Sequence, residues 1–107
     1  MTRGDVVTIA VSGDYGKPRP ALVIQSDLLD AHPSVTLLPV TSELRDAPLF
    51  RIAVTPSAVN GLRKFSQVMV DKPQTVARAK IGKTIGRLDD DVMIGVSRAL
   101  AVVLGFA

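Results

Sequence analysis

Apolar residues arrive in short bursts along most of this chain and in a helical stripe only near its end. The runs 6–11, 20–25, 35–40 and 66–71 are each six residues long, separated by stretches dense in Gly, Pro, Ser, Asp and Asn. Runs of that length fit buried strands better than helices. Residues 49–55 alternate, with Phe50, Ile52 and Val54 on one side and Leu49, Arg51, Ala53 and Thr55 on the other, the pattern of a half-buried strand. Residues 83–88 offer a last short strand, and Thr75-Val76-Ala77 reads as a turn-like continuation of the run before it. Pro39 cannot donate to a ladder, so its strand must lie at an edge or carry a break. Asn60-Gly61 is a turn signal.

The end of the chain follows a different rule. Asp89-Asp90-Asp91 supplies an N-cap and negative charge where a helix macrodipole favours it. Val92, Val96, Leu100 and Val103 then recur at helical spacing, and Gly105 stands where a helix stops. Met93, Ala101 and Val102 make the other side apolar too, so a second copy of the chain is a natural cover. The expectation is a mainly β fold, a barrel or sandwich, with one C-terminal α-helix. A length of 107 residues suits a single domain spanning 1–107.

Composition narrows function by exclusion. The chain has no cysteine, which removes disulfide scaffolds, zinc fingers, iron–sulfur sites and thiol nucleophiles. His32, before Pro33 in a loop, is the one histidine, so a two-histidine ribonuclease site cannot form within one chain. No charged segment leads into a long apolar run, and no apolar stretch nears the ~20 residues that span a bilayer. A cytoplasmic protein without membrane attachment is expected. The net charge is only +3, yet residues 63–87 hold seven basic side chains against Asp71 alone. That imbalance points to a polyanionic partner, with a solvated basic surface as the alternative.

Some motifs do not survive inspection. Arg3-Gly4-Asp5 matches an adhesion tripeptide but sits where a strand begins. Ile81-Gly82-Lys83-Thr84 resembles the end of a phosphate loop, but the earlier glycine that pattern needs is Ala77. The aspartate run at 89–91 is better explained by capping than by a metal. Two features remain. Lys17-Pro18-Arg19-Pro20 enters a strand with Arg19 held extended between prolines, which fixes the origin of a guanidinium suited to phosphate. Pro39-Val40-Thr41-Ser42 ends another strand in two hydroxyls. An arginine and a hydroxyl brought together can stabilise a phosphorane-like transition state.

The sequence as a whole resembles the MazF/PemK toxins of bacterial toxin–antitoxin systems. The likeness rests on ordered blocks: Arg3-Gly4-Asp5-Val6-Val7, Arg19 to Asp27, Leu38 to Ser42, Asn60-Gly61-Leu62, Ser66 to Asp71, and Ile85 to Asp90 leading into the helix. The resemblance implies an SH3-like β-barrel that forms a homodimer. It implies a metal-independent endoribonuclease that needs no cofactor and cuts single-stranded RNA, chiefly mRNA, under control of a cognate antitoxin. It further implies that Arg19 is catalytic with Thr41 as its partner and Ser42 adjacent, and that the RNA's own 2′-hydroxyl is the nucleophile. Such a reaction leaves a 2′,3′-cyclic phosphate and a 5′-hydroxyl.

Lys17, Ser42, Lys72, Gln74 and Thr75 are RNA-contact candidates; the stretch 71–75 departs from the family, where an Arg-Thr pair is common, and a solvated turn is the alternative reading there. Tyr15 can stack on an unpaired base or anchor its loop. Phe50 is expected in the core and Phe65 in the core or the dimer interface. A related fold serves CcdB-type toxins that poison DNA gyrase without catalysis, and a barrel that only binds RNA or its partner is a third option.

Overall fold

A computed structural model describes residues 1–10 and 17–107. Among these, seven strands form one antiparallel sheet: β1 (Asp5–Ala10), β2 (Pro18–Val23), β3 (Ser34–Thr41), β4 (Arg51–Val54), β5 (Ser66–Met69), β6 (Gln74–Ala77) and β7 (Ile81–Arg87). Helix α1 (Asp90–Val103) closes the chain. The strand order is β4-β5-β3-β2-β1-β7, and β6 also pairs with β3. β6 and β7 follow one another through a single 3₁₀ turn at Arg78–Lys80. One end of that pair is therefore bonded to β3 and the other to β1, which curls the sheet into a barrel-like form without a recorded β6–β7 ladder.

Strand alternation divides the core in two. Val7, Ile9, Ala21, Val23, Val35 and Leu37 pack together inside the curl. Val6, Leu22, Leu38, Val68 and Val96 belong to a second cluster on the opposite face, covered by the β4–β5 arm and by α1. Phe50 and Ile52 pack against this second cluster and Val54 is buried in it, as the alternation of 49–55 requires. The strand itself is shorter than expected, because residues 47–50 form a turn that Phe50 and Arg51 close by donating to the Ala47 carbonyl.

Two further expectations change. The stretch at 75–77 is a strand: β6 pairs with β3 from Ser34↔Ala77 to Leu37↔Gln74, so it belongs to the barrel. Phe65 is 45% exposed, which rules out the core and leaves only the dimer interface of its two expected places. Pro39 marks a break, as its missing donor demands. One edge of β3 pairs with β6 up to Leu37 and with β5 from Val40, leaving Leu38-Pro39 between the two ladders.

The helix begins and ends as its caps dictate. The Asp89 carboxylate accepts from the Val92 N–H at 2.9 Å. At the other end Gly105 has φ +81°, Phe106 N–H reaches Ala101 O and Gly105 N–H reaches Val102 O, a Schellman pair. Val96 and Ala99 are buried, and Val92, Met93, Leu100 and Val103 pack on the core, so Met93 is part of the inner face. Ile94 and Val102 remain exposed on the outer one. Gly61 (φ +70°) carries a close approach to β7, since a Cβ there would lie 2.1 Å from the Ile85 carbonyl oxygen.

The discarded motifs have structural roles. Arg3 donates to the Ile24 carbonyl and to Ser97 Oγ, tying the end of β2 to the helix, while Asp5 faces Arg87 at 3.5 Å. Ile81–Thr84 runs within β7 rather than turning into a helix. His32 Nδ1 lies 3.1–3.2 Å from the backbone and hydroxyl of Ser34, so its ring closes a local turn.

Candidate active site

The site begins where β2 and β3 part. β2 pairs with β1 from Val6↔Leu22 to Ala10↔Pro18, placing Arg19 opposite Ile9. Its ladder with β3 runs only from Val23↔Leu37 to Ala21↔Pro39. Three prolines stand at this junction, Pro18, Pro20 and Pro39, and none has an N–H to extend the pairing. The register carried two residues past its last pair sets Arg19 across from Thr41. Alternation puts both on the face of Ala21 and Leu37, the face that carries the inner cluster. Arg19 is exposed and Thr41 half-buried.

Thr41 is fixed on its other side. Its Oγ1 accepts from the Glu43 N–H at 3.0 Å. A hydroxyl that accepts from the backbone keeps its own proton to donate. Ser42 follows at the exposed strand end. On β5, Gln67 pairs directly with Thr41, and its side chain holds Arg45 at both N–H and carbonyl, each at 3.0 Å. From β4, Arg51 Nη1 donates to Gln67 Oε1 at 3.0 Å and to the Glu43 carbonyl at 3.1 Å. Arg51 Nε is buried without a partner.

The other candidates divide. Lys17 is exposed immediately before β2, two residues from Arg19. Gln74 is exposed opposite Leu37, so alternation gives it the face shared by Arg19 and Thr41. Lys72 lies in the turn before β6 and pairs with Asp71 only at 4.0 Å. Thr75 belongs to the opposite face, where its hydroxyl meets that of Thr36 at 3.0 Å, and the structure does not bring it to Arg19. Tyr15 lies outside the described residues.

Arg51 and Gln67 were not singled out from sequence. Alternation in 49–55 and 66–71 does place both off the core side, which was the available signal. Their contact depends on the pairing of β4 with β5. Among the described residues, no three His, Asp or Glu side chains stand together as a metal site, and no helix is long and apolar enough to cross a membrane.

A small curled antiparallel sheet with a C-terminal helix, with Arg19 and Thr41 flanking the β2–β3 junction, defines a mainly β, barrel-like class of fold. Residues 2–104 match the PemK-like, MazF-like toxins of type II toxin–antitoxin systems, and the chain belongs to that family. It is 47% identical over 108 residues to a probable endoribonuclease MazF of Mycolicibacterium smegmatis, covering 100% of this chain and 99% of that one. The fold is that of an endoribonuclease solved with its cognate antitoxin from a mycobacterial species, at TM-score 0.83 and 23% identity over 100% of this chain and 97% of that one. The Mycobacterium tuberculosis toxin MazF-mt6 superposes at TM-score 0.80 with 25% identity, over 94% of this chain and 96% of its own.

Proposed function

We propose that this protein is a metal-independent endoribonuclease toxin that cuts single-stranded RNA, mRNA above all, and is held in check by a cognate antitoxin. The family match and the 47% identical relative named an endoribonuclease support this reading over gyrase poisoning. The observation that best supports the proposed chemistry is the β2–β3 register, whose last pair Ala21↔Pro39, carried on by two residues, brings Arg19 and Thr41 to one face.

In the proposed reaction the 2′-hydroxyl gives up its proton and its oxygen attacks the adjacent phosphorus. The bond to the 5′-oxygen breaks, and that oxygen takes up a proton. The products are a 2′,3′-cyclic phosphate and a 5′-hydroxyl. The nucleophile comes from the substrate, so the protein must orient the phosphate and stabilise charge on its non-bridging oxygens. Arg19, always protonated, does this as a cation rather than as a base. Thr41 donates a hydrogen bond to a phosphate oxygen. Lys17, Ser42, Lys72 and Gln74 contact the flanking RNA.

A homodimer covers the outer helix face, where Ile94 is 50% exposed, and the chain end after it, where Phe106 is 81% exposed. The test is a long single-stranded RNA incubated with the protein in EDTA. Fragments with 5′-hydroxyl ends are expected; intact RNA together with blocked gyrase supercoiling would instead establish the gyrase reading.

A further inference from the structure

Thr41 sits in an ordered frame, and the frame has one keystone. Its Oγ1 is held by the Glu43 N–H, and Glu43 is held in turn through its carbonyl by Arg51 Nη1. The same Nη1 donates to Gln67 Oε1, which also accepts from the Arg45 N–H. Gln67 Nε2 returns a bond to the Arg45 carbonyl, so residues 43–45 are gripped from two strands. Arg51 and Gln67 are diagonal neighbours in the β4–β5 ladder, and Gln67 is directly opposite Thr41 in the β3–β5 ladder.

Arg51 makes these bonds at a disadvantage. Its Nε is buried and unpartnered, and its Nη1 bonds a carbonyl and an amide rather than a carboxylate. Pairing with a carboxylate is the usual way to compensate a half-buried guanidinium. A buried unpaired donor is unfavourable and is retained in folded proteins where the surroundings fix it. Here those surroundings are the segment that orients Thr41.

We infer that Arg51 is a positioning residue for the proposed cleavage, acting through the Glu43 carbonyl and Gln67 to aim the Thr41 hydroxyl. This rests on the ribonuclease reading for its catalytic consequence, while the clamp itself is a property of the folded chain. Misplacing a catalytic group by an ångström lowers turnover by up to about 100-fold. Substrate binding, spread over other contacts, changes little.

The test compares the full chain with Arg51→Met, which keeps the apolar stem, and Arg51→Lys, whose ammonium can still donate to both acceptors. Cleavage of a single-stranded RNA gives kcat and KM, and amide hydrogen exchange follows the N–H groups of Glu43 and Arg45. In Arg51→Met, kcat should fall about 10- to 100-fold with KM within about twofold, and both amides should exchange at least about tenfold faster. Arg51→Lys should restore most of both, while exchange in the Leu22 and Leu38 core stays unchanged throughout. Wild-type exchange at Glu43 and Arg45 in Arg51→Met overturns the clamp, and wild-type turnover despite loosened amides overturns the positioning role. If Arg51→Met does not fold, Arg51→Gln, too short to reach both acceptors, carries the same readings. A wild-type protein that leaves RNA intact sinks the ribonuclease reading, and the exchange arm still decides the clamp.

Discussion

Both faces of the sheet are apolar, but they are organised differently. On one, Leu22, Leu38 and Val68 are sealed by the β4–β5 arm and by the buried side of α1. On the other, Val7, Ala21 and Leu37 are enclosed only by the sheet curling on itself, with Val76 and Ile81 closing the sides. On the curled face the β2–β3 ladder ends at Ala21↔Pro39, and Arg19 and Thr41 lie just beyond that last pair. Successive residues of β3 thus serve two different clusters: Leu38 packs under the helix side, while Leu37 packs inside the curl, on the face that carries the proposed site.

The largest expected effect tests that division directly. Arg19→Ala should lower RNA cleavage about 1,000-fold or more, on the scale of losing a main charge-stabilising group, with thermal stability close to wild type. Arg19 is exposed, so its removal leaves no cavity. Quantified cleavage beside a melting curve checks it. Retained cutting would show that the wrong arginine was chosen.

Leu38→Ala should do the reverse. Leu38 is fully buried in the helix-covered cluster, and a large-to-small change there costs about 2–5 kcal/mol. Turnover per folded molecule should stay near wild type. Leu37→Ala, equally buried but inside the curl, should cost a similar amount and also reduce turnover, because its strand face continues to Thr41. Denaturant unfolding with active-fraction-corrected rates separates the two, and equal turnover in both variants would break the comparison.

How much of this could be read in advance follows the same division. The helix was legible at both ends, because the Asp89–Asp91 run and Gly105 act locally and need no partner strand. β1, β2, β3 and β5 were legible from their apolar runs. β6 was not, because Gln74-Thr75-Val76-Ala77 has only Val76 half-buried and owes its extended form to pairing with a strand some forty residues earlier. The same holds for the site. The prolines around Arg19 and the hydroxyls at 41–42 were visible, but their shared face is a matter of register. The Arg51–Gln67 bond is further removed still, since it requires β4 and β5 to be paired first, and its link to Thr41 requires β3 as well.

A smaller effect belongs to the sealed face alone. Asp89→Ala removes the acceptor for the Val92 N–H and should cost about 1 kcal/mol. Because α1 touches only the helix-covered side, the loss should appear in melting temperature and not in the rate of RNA cleavage by folded protein.

The smallest effect separates two neighbours on β6 and its leading turn. Lys72 is exposed and only loosely paired with Asp71 at 4.0 Å, so its charge is available to a polyanion. Each phosphate contact on a single strand contributes about 0.7 to the slope of log affinity against log salt. Lys72→Gln should lower that slope by about this amount for a non-cleavable RNA analogue. Thr75→Val should leave it unchanged, since the Thr75 hydroxyl is engaged with Thr36 on the face away from Arg19. Binding isotherms at several salt concentrations decide between them. An effect at Thr75 equal to that at Lys72 would mean that the RNA path runs around the barrel edge rather than across the face of Arg19 and Thr41.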